Sequence, residues 1–128
     1  MSTLKLDTLS NKAGTASVPS DTIVSGTAKA WVNFNGTGTV AIRRAFNVSS
    51  ITDQGTGNYR VNFTNSMVDN NYSVVAHRYY GVNDNGKYAM ILSNYVAGDY
   101  ATTSCVLRVF NPGVDYYDAD NVNASFFS

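Results

Sequence analysis

GTAKAWVNFNGTGTVAIRRAF, residues 26–46, alternates in period two on both sides of a glycine-threonine turn and contains no acidic residue. Ala28, Ala30, Val32 and Phe34 fall on one side and Lys29, Trp31 and Asn33 on the other, the pattern of a strand with one buried face. Gly36 and Gly38 supply a tight reversal into residues 40–46, so the stretch predicts a β-hairpin. The lack of acids suits this reading, because Asp is disfavoured in strands.

Downstream the pattern repeats. TDQGTGNY (52–59) is a second turn, leading into YRVNF, where Tyr59, Val61 and Phe63 alternate with Arg60 and Asn62. Residues 69–95 hold two strand-like runs joined by Asn85-Gly86, the dipeptide that best accepts positive φ at both central turn positions. TSCVLRVF (103–110) stops at a turn in which Pro112 cannot continue a ladder, and NVNASFF (121–127) is the last strand candidate. About eight short strands at intervals of roughly ten residues predict an all-β fold, an antiparallel β-sandwich or jelly roll, with no helix.

Composition agrees. The 128 residues are one domain's worth, large enough to bury a core without a metal or disulfide. Charged residues are only 14%, against roughly 25% in ordinary globular proteins, and all nine acids are Asp. Strong helix formers are scarce, whereas Val, Thr and Tyr are plentiful. A formal net charge of zero without a basic run excludes nucleic acid and anionic membranes as generic partners. No apolar run approaches the roughly 18 residues of a spanning helix and no leader pattern is visible, so neither membrane insertion nor export is expected. Cys105 is alone and reads as a small buried hydrophobe.

Residues 1–26 are rich in Ser, Thr, Ala and Gly, with brief apolar alternation at Leu4 and Leu6 and again near Ile23 and Val24. Such a segment cannot bury enough apolar surface to order itself, so it is expected to be an extended arm docked on another surface, with residues 27–128 forming the sandwich.

Little chemistry is legible. His77 and Cys105 are the residue types of a nucleophile and its base, but both sit mid-strand in apolar patterns and read as a hydrogen-bonded or exposed His and a packed Cys. DYYDAD (115–120) offers Asp115, Asp118 and Asp120 as oxygen ligands, with Asp53 or Asp99 as further contributors, yet the spacing matches no EF-hand loop and a solvated loop is the simpler reading. The same residues could supply paired carboxylates for glycoside hydrolysis, but a small domain without Glu or cleft-building insertions argues against it. Sequons at Asn35, Asn47, Asn62, Asn71 and Asn123 are what an Asn-rich chain produces by chance. No catalytic residue, cofactor or metal is therefore expected. Tyrosines are the more informative type: Tyr95, Tyr100, Tyr116 and Tyr117 flank turns and are the candidate exposed binding surface, since Tyr joins rigid apolar area to a polar tip.

AKAWVNFNGTGTVAIRRAFNVSSITDQGTGNYRVNF (28–63) followed by MVDNNYSVV (67–75) resembles a module of bacteriophage virion proteins of the tail-fibre or receptor-binding type, in phages of aquatic bacteria. The likeness covers residues 27 to about 76, and the lead-in STLKLDTLSNKAGTASVP is similar to the one that precedes the module. It implies a β-sandwich displayed on the particle, usually as a homotrimer, with the C-terminal part outward. Other virion proteins would then hold residues 1–26, and a host-surface glycan or protein would be the ligand. A trimeric capsid decoration protein fits the chain length equally well. No catalytic residues come with the resemblance.

Overall fold

The computed structural model describes residues 2–78, 90–92, 97–110 and 115–128. Two strands, β1 (Thr8–Ser10) and β2 (Ser17–Pro19), and a short helix, α1 (Ser20–Gly26), precede the sandwich. Then come β3 (Ala30–Asn35), β4 (Ala41–Phe46), β5 (Val48–Asp53), β6 (Asn58–Phe63), β7 (Ser73–Arg78), β8 (Met90–Leu92), β9 (Tyr100–Ala101), β10 (Ser104–Phe110) and β11 (Val122–Phe127). Among the described residues all pairings are antiparallel: β1 and β2 form a hairpin of their own, and two larger sheets make the sandwich, β5-β6-β10-β8, with β9 also on β10, and β4-β3-β11-β7.

The alternation read in the sequence is the reason for this shape. Ala30, Val32 and Phe34 of β3 and Val122, Ala124 and Phe126 of β11 point inward from one sheet; Tyr59, Val61 and Phe63 of β6 and Cys105, Leu107 and Val109 of β10 point inward from the other. Burying each large side chain contributes about 1.5–3 kcal/mol, so a strand with the opposite phase would lose its whole apolar set to water. Edge-on ring contacts lock the two layers together, Phe34 on Tyr59 at 5.2 Å and Phe63 on Phe126 at 5.0 Å between centroids. The expected hairpin of residues 26–46 is β3–β4, and the turn at 52–59 joins β5 to β6. The hairpin expected at Asn85-Gly86 lies outside the described residues.

Three joints position the layers. Asn47, between β4 and β5, has φ of 55°, the left-handed region. Its side-chain amide donates to the carbonyls of Lys29 (3.0 Å) and Asn65 (3.1 Å), and its Oδ1 accepts the Asn65 backbone N–H at 2.8 Å. One residue thus turns the chain from one sheet to the other and ties three segments. At the second joint Asp118 Oδ1 accepts from the Gly57 N–H (2.8 Å) and the Tyr59 hydroxyl (2.9 Å). Gly57, with φ of 63°, has no room for a Cβ, which would sit 2.5 Å from the Val109 carbonyl. Gly36 is the third: it lies against the Tyr59 ring, so its role is close approach rather than the turn geometry assigned to it from sequence.

The segment before the sandwich differs from expectation in one respect. It is not extended throughout, and α1 is a helix where none was expected. Pro19 immediately before it and Asp21 in its first turn favour a helix start, a local signal outweighed in the sequence by the overall scarcity of helix formers. In the hairpin loop, Asn11 Oδ1 accepts the N–H groups of Thr15 (3.0 Å) and Ala16 (3.3 Å). No residue of 2–27 is buried, and Leu4 and Val24 are 84% and 64% exposed. Among the described residues no helix is long and apolar enough to cross a membrane.

Candidate functional site

The four tyrosines singled out from sequence do not form one patch among the described residues. Tyr100 is half-buried, its ring 5.3 Å from that of Tyr72. Tyr117 is half-buried against the core, with the Arg78 guanidinium 5.0 Å above its ring. Tyr116 is 46% exposed and packs edge-on against Phe110 at 6.2 Å. Tyr95 lies outside the described residues. Two of the three described tyrosines therefore lend much of their rings to packing, because β9 and the segment before β11 both fold back on the sandwich.

The acidic residues are placed as structural partners. Asp118 holds Gly57 and Tyr59, and Asp53 Oδ1 accepts the Gly55 N–H at 2.9 Å. Asp99, buried, forms a two-point ion pair with Arg108, at 2.5 Å and 3.3 Å, which raises the arginine's already high pKa. Asp115 and Asp120 are exposed. Among the described residues no three His, Cys or carboxylate groups come together as a metal site.

His77 and Cys105 belong to different sheets. Cys105 faces the core, where burial pushes its thiol up to about 12, far from the thiolate a nucleophile needs. His77 is on the exposed side of β7, away from the interior. The pair does not assemble.

What does assemble is the outward face of the β4-β3-β11-β7 sheet. Register puts Phe46, Trp31, Ser125 and Val75 in one row across the four strands, and Arg44, Asn33, Asn123 and His77 in the next. A regular strand would send Arg43 and Arg44 to opposite faces. A bulge opposite Asn33 and Phe34 makes Arg43 the extra residue of β4, and both arginines line the outward groove. Trp31 is 38% exposed at the groove's centre. Asn33 Nδ2 donates to Asn121 Oδ1 (2.6 Å) and Asn123 Oδ1 (2.7 Å), and Asn123 Nδ2 donates to Asn121 Oδ1 (3.2 Å), which fixes the amides. The groove is shallow, with a volume of about 500 Å³.

Sequence reading passed over this face. Its signal was present in the opening stretch: the side of β3 opposite the core carries Trp31 and Asn33. The chain matches no family model, no curated protein and no solved structure with which it was compared.

Proposed function

We propose that this chain is a non-enzymatic bacteriophage virion protein, held in the particle by residues 1–26 as a homotrimer and presenting its sandwich to a host-surface receptor. The observation that carries the reading is the arm: a hairpin and a two-turn helix with no buried residue, on which Leu4, Leu6, Leu9, Ile23 and Val24 are uncovered. Exposed apolar groups clustered in one segment mark a surface that another protein covers. The resemblance of residues 27–76 to a virion module supports the same assignment. A receptor-binding role draws on the aromatic and amide-rich outward face, since such faces suit sugars and peptides without any reacting group.

Immunogold labelling of intact phage particles tests it. Gold at the tail is the expected result, lost when residues 2–26 are deleted. Gold over the head would replace the receptor role with capsid decoration, whose signature is a lower melting temperature of heads lacking the protein. Absence of gold from intact and disrupted particles would overturn the virion reading.

A further inference from the structure

We infer that the groove around Trp31 binds a carboxylate-bearing oligosaccharide, with a sugar ring on the indole and its carboxylate on Arg43 and Arg44; the inference rests on the receptor-binding reading and names the class of ligand. Aromatic side chains offer an apolar plane to the C–H face of a pyranose, and Trp31 stands in a central strand with its ring partly uncovered. Arg44 is the diagonal neighbour of Trp31 across the β3–β4 pair, a separation of roughly 7–8 Å that a long side chain spans. A uronic acid carries its carboxylate on the rim of the same ring that would stack, so one residue of the glycan satisfies both groups. The fork of a guanidinium matches a carboxylate in two-point geometry.

Charge selects the ligand. The outward side of these four strands presents Arg43, Arg44 and His77 and no carboxylate. Among the described residues the Arg44 side chain makes no hydrogen bond or ion pair, and that of Arg43 reaches only the Phe34 carbonyl at 3.4 Å. Arg108, by contrast, is engaged by Asp99. The amides of Asn33, Asn121 and Asn123 hold one another and keep further donor and acceptor capacity for hydroxyls. An isologous second copy fits the face less well, because it would set the arginines against themselves, and the arm's charges, Lys5, Asp7, Lys12 and Asp21, cancel.

Trp31 is the single tryptophan, so its emission reports the site in the full-length protein without a label. Titration with hexagalacturonate is expected to change that emission saturably, while neutral maltohexaose does not. The double variant Arg43→Gln/Arg44→Gln should bind about tenfold more weakly. Tyr116→Ala should bind as the parent does, and Trp31→Phe, followed by calorimetry, should lose most of the affinity. Three results would overturn the proposal: no saturable change, an equal response to dextran sulfate, which has no carboxylate, or an emission change that follows protein concentration alone in step with sedimentation to an oligomer. Particle labelling with any of these three would remove the ligand class and leave the virion reading; hexagalacturonate binding without labelling would do the reverse.

Discussion

At the scale of single residues, Asn47 has the largest local consequence for its size. A non-glycine residue at φ of 55° costs roughly 1–2 kcal/mol, which Asn tolerates better than most, and its amide satisfies carbonyls on two other segments. Replacement by Ala adds backbone strain to the loss of those bonds, so Asn47→Ala is expected to lower stability by about 2–3 kcal/mol. Asn47→Gly keeps the backbone free and loses only the bonds, and should cost less. Urea unfolding of the two variants checks the order; an Asn47→Ala midpoint equal to the parent's would contradict the assigned role. From sequence Asn47 was one of five sequons, because nothing local distinguishes a left-handed corner residue from any other loop Asn.

At the scale of elements, the sandwich strands bury one face between two sheets, whereas no residue of 2–27 is buried. The phases of β3 and β6 were legible because one face of each is buried, and Ala30, Val32 and Phe34 lie inward as the alternation required. The β4 bulge was not legible: whether Arg43 is an extra residue depends on what β3 offers opposite it. The arm's local folding was missed for a related reason, since a seven-residue helix is marginal by itself and leaves only a weak signal. Because no residue of 2–27 is buried, deleting 2–26 is expected to leave the sandwich's unfolding free energy within about 0.5 kcal/mol of the parent's. Denaturant titration of the deletion variant checks this, and a large loss would show that the arm is part of the core's support. The same deletion is the one expected to abolish attachment to particles.

At the scale of the whole molecule, three weak acids among the described residues are held in their neutral forms by the interior. Burial pushes the Cys105 thiol up to about 12, and burial also raises the hydroxyls of Tyr59 and Tyr72, with hydrogen bonding to Asp118 adding to the first. In the unfolded chain these groups release protons from about pH 9 to 10. The folded state therefore binds more protons than the unfolded state above that range, and stability falls as pH rises, having been complete below it. Urea midpoints are expected to be level from pH 6 to 8 and to drop between about pH 9 and 11. In the native protein at pH 10, absorbance near 295 nm should show tyrosinate only from the other tyrosines; a level midpoint with full tyrosinate absorbance would refute the burial of these groups.

By itself the sequence determined the all-β class, the β3–β4 hairpin and which side of β3 and β6 faces inward. Each of these follows from period-two burial and turn chemistry, which act over a few neighbouring residues. Only the tertiary structure assembles the Trp31 face on which the ligand proposal rests. That face exists because β11, about ninety residues downstream, lies beside β3 and brings Asn121 and Asn123 to Asn33, while a bulge turns both arginines to the same side. The candidate tyrosines show the same limit, because a side chain beside a turn is exposed or packed according to what folds back over it, and that is set by the assembled sheets.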